Sequence, residues 1–314
     1  MMPTVSVIMN CLNGEALVRE AIQSIYDQTF TDWEIIFFDN ASTDRTAEIA
    51  KSFDSRLRYF RSDKTIPLGA ARRLAIAEAR GAWIAFQDHD DVSLPYRLER
   101  EVSAVSKGAF VACYGGMREI DAKGRTIRDV LPSYASGDQF SQQLTQFEAN
   151  LQTMMVKAEY LARFGIQFDE NFVMFEDYNL FMKLAAKGPV CAVPEILCLC
   201  RILASSWTAR SLERHAGERF DTLEQLRAAN PGIDQRFPQA FRDAAARGWY
   251  YLARHKMQIG AYSEARRIMS DIKGDAPIYR VLYWLSWWPW AWNTAHGRTS
   301  KMWLTGFFLQ RKQR

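Results

Sequence analysis

The stretch "WIAFQDHDDVSLP", residues 83–95, sets an apolar run directly before three aspartates in four positions. Trp83, Ile84, Ala85 and Phe86 read as a buried strand, so Asp88, Asp90 and Asp91 fall at its end and just beyond it. Carboxylates held this close repel one another unless a cation lies between them. The plain alternative is a solvated turn ahead of a helix, and the rest of the chain decides between the two. A calcium loop of the helix–loop–helix kind is excluded. Val92 and Ser93 occupy its fifth and sixth positions, where a ligand and a turn glycine are needed. Ser93, followed by Pro95 in the next turn, instead reads as the N-cap of a helix over "LPYRLEREVSAV". The unit is therefore strand, acidic loop, helix. Two carboxylates at i and i+2 can ligate one hard divalent cation and leave coordination positions open. Mg2+ in particular is held by one or two carboxylates plus substrate phosphates, so a metal–diphosphate site is expected. His89 is expected to face solvent, because strand alternation turns it away from its neighbours.

Upstream of this unit, short β-rich runs alternate with helical patterns. Strands are expected over 5–11, 34–39 and 57–61, with helices over 15–28, 46–53 and about 69–80 between them. That alternation implies βαβ units and a mostly parallel sheet with both faces covered. Ligands of such open sheets bind beyond the carboxyl ends of the strands. Asp39 ends the second strand, Asp88 ends the fourth, and Asn10 and Asn13 lie at or just past the end of the first. Polar residues closing several buried strands point to one shared edge.

Downstream the pattern is mixed. Strands are expected over 109–116, 151–157 and 190–202, and "REIDAKGRTIRD" should turn at Gly124. A short helix over 158–165 should stop at Gly165. In "FEDYNLFMKLAAKG" (175–188), Asp177 shares a helical face with Phe181 and Leu184, whereas Glu176 lines up with Asn179 and Lys183 on a wetter face. An inward carboxylate on an apolar stripe is costly unless it has a purpose. The first helical turn helps keep it ionised, as a general base requires. Past about residue 208 the texture is helical, with a hairpin expected to turn at Gly260.

The formal net charge of +4 over 314 residues is too small to argue for nucleic acid. It is also local: residues 278–314 carry Arg280, Arg298, Lys301, Arg311, Lys312 and Arg314 and no acidic residue. Six of the ten tryptophans lie between Trp284 and Trp303. Tryptophan favours the lipid headgroup zone and basic residues are drawn to anionic lipid. Peripheral membrane contact through 278–314 is therefore expected, against a bundle packing its own aromatics. The run over 278–292 is too short to span a bilayer. Cys11, Cys113, Cys191, Cys198 and Cys200 form no paired framework and read as buried thiols of a reducing compartment. With no leader pattern in "MMPTVSVIMN", the expected location is the cytoplasm or the inner face of the cell membrane.

From Val5 to Arg201 the chain resembles the family 2 glycosyltransferases of GT-A fold. Three segments carry the likeness, in the family's order: "VSVIMNCLNGEALVREAIQSIYDQTFTDWEIIFFDNASTDRT", "PLGAARRLAIAEARGAWIAFQDHDD" and "FDENFVMFEDYNLFMKLAAKG". The resemblance implies a GT-A catalytic domain over 1–207, with a nucleotide-sugar half (1–115) and an acceptor half (116–207), followed by a helical region over 208–314. It implies that Asn13 and Glu15 line the base and ribose pocket, that Asp39 accepts a hydrogen bond from the nucleobase, and that Arg72 lies near the nucleotide. Asp88 would contact the ribose or the metal, and Asp90 would ligate Mn2+ or Mg2+ at the diphosphate, with Asp91 supporting the loop. Asp177 would deprotonate the acceptor hydroxyl with Glu176 beside it, and Arg201 would help hold the diphosphate. The implied reaction moves a sugar, with inversion, from a nucleoside-diphosphate sugar (uridine-linked in most of the family) to a saccharide or lipid-linked hydroxyl in surface glycan synthesis.

The sequence departs from the family's pattern at Asn40 and Ala41, where many members carry Asp and Gly, and at Arg73, where Asn often follows the arginine. It lacks the Gln-x-x-Arg-Trp run of processive members. Two rival readings stand beside this one. A nucleotidyltransferase would show a glycine-rich basic loop after the first strand, which "NCLNGEALVRE" is not. A non-catalytic sugar-nucleotide-binding protein would not need Asp88, Asp90 and Asp177 together.

Overall fold

The computed structural model describes residues 2–202 and 212–296. The chain falls into two compact units, residues 1–206 and 207–314. The first is an α/β unit around one nine-stranded mixed sheet. In chain order its elements are β1 (Val5–Cys11), α1 (Val18–Tyr26), β2 (Trp33–Asp39), α2 (Thr46–Lys51), β3 (Leu57–Arg61), α3 (Leu68–Ala77) and β4 (Trp83–Asp88). Then follow β5 (Val92–Ser93), α4 (Arg97–Val105), β6 (Ala112–Ile120), β7 (Thr126–Val130), α5 (Phe140–Thr145), β8 (Met154–Lys157), α6 (Ala158–Phe164), α7 (Glu176–Ala185) and β9 (Val190–Arg201).

The strand order is β3-β2-β1-β4-β8-β6-β9-β5, with β7 paired to β6. The four strands β3, β2, β1 and β4 are parallel, and every residue of β1 and β2 is buried. Continuous apolar runs such as "VSVIM" and "EIIFF" suit strands covered on both faces. β1 passes to β2 on one side, while its other neighbour is β4, so a crevice opens at the carboxyl ends of these strands. Register makes that edge level: Cys11 pairs with Asp39, Asn10 with Asp88, and Asp39 with Arg61. Beyond β4 the sheet turns antiparallel through β8 and β6, while β9 runs parallel to β6. Val7, Met9, Ile35, Phe37, Ala85, Leu98 and Met155 meet in the main core.

Some expected boundaries shift. The strand expected over 109–116 runs Ala112–Ile120 and forms a hairpin with β7 through Gly124, at φ 77°. The strand expected over 151–157 begins only at Met154. Ser93 is not a helix N-cap. It lies in β5 opposite Cys198, and α4 begins at Arg97. The reason is local: the Ser93 hydroxyl donates to Gln87 Oε1 at 2.6 Å instead of capping a helix. Gly165 ends α6 in the left-handed region, as expected. All five cysteines are free and buried, and the Cys198 and Cys200 sulfurs on one face of β9 are 3.4 Å apart.

The second unit is helical among its described residues: α8 (Leu212–Ala229), α9 (Ile233–Arg236), α10 (Pro238–Gln258), α11 (Tyr262–Ile272), α12 (Pro277–Leu285) and α13 (Pro289–Ala295). α10 and α11 form the hairpin at Gly260, and Tyr250, Met257, Met269, Tyr279, Leu282 and Trp292 pack within its core. No described helix is long and apolar enough to cross a membrane.

Candidate active site

The acidic loop after β4 is fastened by its neighbours while its carboxylates crowd together. One carboxylate oxygen from each of Asp88, Asp90 and Asp91 lies within 4.8 Å of the other two. The Asp88 backbone N–H donates to Gln152 Oε1 at 2.6 Å, and Gln87 Nε2 donates to the carbonyls of Asp88 (3.1 Å) and Asp91 (2.7 Å). Asp91 is buried and accepts the Arg201 backbone N–H at 2.7 Å, which fits its expected part in supporting the loop. Burial foremost, with the charge of Asp88 adding to it, pushes the Asp91 carboxyl up to about 8 and raises that of Asp90. Oxygen donors that disfavour their own joint ionisation fit a hard cation such as Mn2+ or Mg2+, because its charge reverses that penalty.

At the ends of β1 and β2, polar side chains are spent on fixing two loops together. Asn13 Oδ1 accepts the Thr43 N–H at 2.8 Å, and the Asn13 N–H donates to Ser42 Oγ at 2.9 Å. The exposed Glu15 accepts the Arg45 N–H at 3.1 Å. Asn13 and Ala41 are the two non-glycine residues with positive φ among those described, at 55° and 64°. Such backbone clusters where a binding surface must be shaped. Asp39 is fully buried: its Oδ1 accepts the Ser42 N–H at 2.7 Å, and its Oδ2 accepts Tyr59 Oη at 2.5 Å and Arg61 Nη1 at 2.7 Å. A nucleobase N–H would have to share Asp39 with Arg61. His89, expected in solvent, is half-buried against the β1 loop. A Cβ at Gly14 would come within 2.6 Å of His89 Cδ2 and 2.4 Å of Cys11 Sγ, so only glycine lets these loops touch.

Arg72 joins this edge to the start of α7. It is buried, donates Nη1 to Glu176 Oε1 at 2.6 Å and Nη2 to Asp88 Oδ1 at 3.2 Å, and lies 5.4 Å from the Phe168 ring centroid. Glu176 is therefore not on a wetter face. It and Asn179 are buried, because α7 is packed nearly all round and Arg72 supplies the countercharge. Asp177 is half-buried beside it. Burial, then the charge of Glu176, pushes the Asp177 carboxyl up to about 7, with Arg72 opposing. A carboxylate tuned to that range can both hold and accept a proton near neutral pH.

Arg201 is turned inward onto the acidic loop. Its Nε donates to the Asp90 carbonyl at 3.1 Å and its Nη2 to Glu20 Oε2 at 3.0 Å. Sequence reasoning did not single out Gln87, Gln152, Tyr59 or Arg61. Arg61 alone left a signal, as a charged residue closing a strand in register with Asp39.

The model of glycosyl transferase family 2 matches residues 6–162, half of the chain. EpsE of Bacillus subtilis is 38% identical over 136 residues, which cover 42% of this chain and 49% of EpsE. WfgD of Escherichia coli, named a UDP-Glc:alpha-D-GlcNAc-diphosphoundecaprenol beta-1,3-glucosyltransferase, is 26% identical over 190 residues, 60% of this chain and 72% of WfgD. The chain spans about half the length of EpsE and about a third of some other curated relatives. The crystal structure of S. aureus TarS 1–349 in complex with UDP-GlcNAc shares the fold, with a TM-score of 0.69 at 15% identity over 98% of this chain and 92% of that one. Its sheet is thus of GT-A type, and on the family match the chain belongs to glycosyl transferase family 2.

Proposed function

We propose that the chain is an inverting sugar transferase that takes its donor from a nucleoside-diphosphate sugar, with uridine as the base, and delivers it to a hydroxyl of a lipid-linked or other saccharide in surface glycan synthesis. One observation carries the reading: Arg72 bonds both Asp88, at the carboxylate-crowded end of β4, and Glu176, 104 residues further along the chain from Arg72 at the start of α7. The name of WfgD, with its UDP-linked donor and lipid-diphosphate acceptor, supports the choice of substrates.

In this reading Asp88 and Asp90 hold Mn2+ or Mg2+, which when bound offsets the charge that grows on the departing diphosphate. Asn13, Glu15 and Asp39 shape the base and ribose pocket, and Arg72 holds Asp88 and Glu176 in place at the nucleotide. Arg201 acts on the diphosphate by fixing the Asp90–Asp91 backbone. Asp177 takes the proton of the acceptor hydroxyl as that oxygen forms its bond to the anomeric carbon. The bond from that carbon to the diphosphate oxygen breaks on the opposite side, so the configuration inverts. Residues 1–115 serve the donor and 116–207 the acceptor. A panel of nucleotide sugars with Mn2+, followed by nucleoside-diphosphate release, tests the reading. Turnover of a uridine-linked donor is expected, and release from none of the panel would sink it.

The tryptophan-rich helices bear on the acceptor. Trp292 is 2% exposed, but Trp284, Trp287, Trp288 and Trp290 are 58, 48, 52 and 72% exposed. Arg280 and Val281 are exposed beside them, and α12 and α13 hold no acidic residue. This face docks on an anionic bilayer surface, with tryptophan in the headgroup zone. The basic residues Arg298 to Arg314 that would reinforce it lie outside the described residues. Triple substitution of Trp284, Trp288 and Trp290 by Ser should abolish co-sedimentation with vesicles rich in phosphatidylglycerol. Equal binding of variant and wild type would refute the docking, as would wild type that stays in the supernatant.

A further inference from the structure

We propose that Arg97 and Glu101, a buried ion pair one turn apart on α4, are positioning residues that hold the acidic loop in its metal-binding shape. The inference rests on the reading of Asp88 and Asp90 as metal-holding residues and adds what keeps them in place.

Both side chains are fully buried, and Arg97 Nε donates to Glu101 Oε1 at 3.2 Å. The other end of the guanidinium grips the loop on both sides. Arg97 Nη1 donates to the Phe86 carbonyl (3.0 Å) and Gln87 Oε1 (3.3 Å) before the aspartates, and to Ser93 Oγ (2.9 Å) after them. Gln87 then passes the grip on through its Nε2 to the carbonyls of Asp88 and Asp91. Neither Arg97 nor Glu101 donates to or accepts from an aspartate carboxylate in these contacts. They act through Gln87, Ser93 and the backbone.

Stability does not account for such a pair. Arg97 Nη2 and Glu101 Oε2 are buried without a protein partner, and burial pushes the Glu101 carboxyl up to about 7 although Arg97 opposes it. Replacing a buried ion pair by apolar residues of similar volume is often neutral or stabilising. What an apolar pair would lose is the three-acceptor grip on the loop. Partners behind metal ligands set affinity by orienting them, and their loss costs about 10–100-fold.

The test compares wild type with Arg97→Met/Glu101→Leu. Urea unfolding of the metal-free proteins is read alongside Mn2+ binding, by electron paramagnetic resonance with UDP present, and alongside kcat and KM. The double variant should unfold at a midpoint no lower than wild type yet bind Mn2+ about 10–100-fold more weakly. Raising Mn2+ to saturation should restore kcat, since Asp177 is untouched. Mn2+ affinity within about twofold of wild type would overturn the inference, the predicted loss being at least tenfold. So would a fall in unfolding midpoint that accounts for the lost affinity, which would make the pair merely structural. If the double variant does not fold, Ser93→Ala replaces it. That variant removes one acceptor of the grip, and weaker Mn2+ binding at unchanged kcat is expected. Unchanged binding overturns the proposal. Wild type that binds no Mn2+ with UDP would sink the metal reading itself, together with this inference.

Discussion

Two acidic clusters meet at the same edge of the sheet, and the protein offsets their charge unequally. At the start of α7, Glu176 and Asp177 share a buried guanidinium, so the chain itself supplies their countercharge. At the end of β4, Asp88, Asp90 and Asp91 each bring a carboxylate oxygen within 4.8 Å of the others; the same Arg72 reaches only Asp88, at 3.2 Å, and the nearby Arg201 gives its Nε to a backbone carbonyl rather than to the carboxylates. Arg72 thus offsets the α7 carboxylates together but the β4 carboxylates only at Asp88, and the charge left on the β4 loop is what the proposed cation would offset. A carboxylate meant to accept a proton needs a fixed, tuned environment, whereas carboxylates meant to hold an ion need unspent charge.

The strongest test of this contrast removes the proton acceptor. Asp177→Asn should lower kcat about 1,000-fold, within the usual range for losing a general base, while donor binding persists. Full transferase activity in that variant would break the base assignment. Next, Arg72→Met takes the countercharge from the α7 cluster and from Asp88, and leaves buried carboxylates uncompensated. Unfolding experiments should read a loss of about 3–5 kcal/mol. The same change should shift the pH profile, with the following sign. In the proposed mechanism Asp177 works deprotonated; its pKa is already raised to about 7, and Arg72 opposes that rise. Without Arg72 the pKa climbs, so the acid limb of kcat moves to higher pH. A limb that stays in place would separate Arg72 from the base.

Asp90→Ala probes the other cluster. Mn2+-dependent donor affinity should fall about 100-fold, and the rise in melting temperature that Mn2+ gives wild type should vanish, since a ligand stabilises only the state that binds it. A rise that survives the substitution would place the cation elsewhere. The smallest effect is expected away from both clusters. Ala41 sits at φ 64°, where Cβ costs about 1–2 kcal/mol. Ala41→Gly relieves that cost but loosens the unfolded chain by up to about 1 kcal/mol, so a net gain below about 1 kcal/mol should appear in denaturant titration.

The strand-end acids were legible because a buried apolar run that stops at a carboxylate leaves few structural uses for it. Asp39 and Asp88 close β2 and β4 as their sequence pattern implies. Glu176 was misread because helical periodicity sees only its own helix, and the guanidinium that buries it comes from α3. Ser93 was misread for a similar reason, since a serine before a helical pattern looks like a cap until its hydroxyl meets Gln87 and Arg97. Arg97 itself reads as one more charge in "RLEREV". Among the tail tryptophans, periodicity did not separate buried Trp292 from exposed Trp290, because α13 is only seven residues long.

The five buried thiols have a practical consequence for labelling. Cys11, Cys113, Cys191, Cys198 and Cys200 are all shielded in the α/β unit, four of them with thiols shifted away from the reactive thiolate, Cys11, Cys113 and Cys191 by burial foremost and Cys200 by its contact with Cys198 and then burial. A single cysteine introduced at exposed Trp290 would then be the site that a maleimide dye or nitroxide reaches first. Such a probe would report on the environment of α13 in the folded protein without the native cysteines having to be removed.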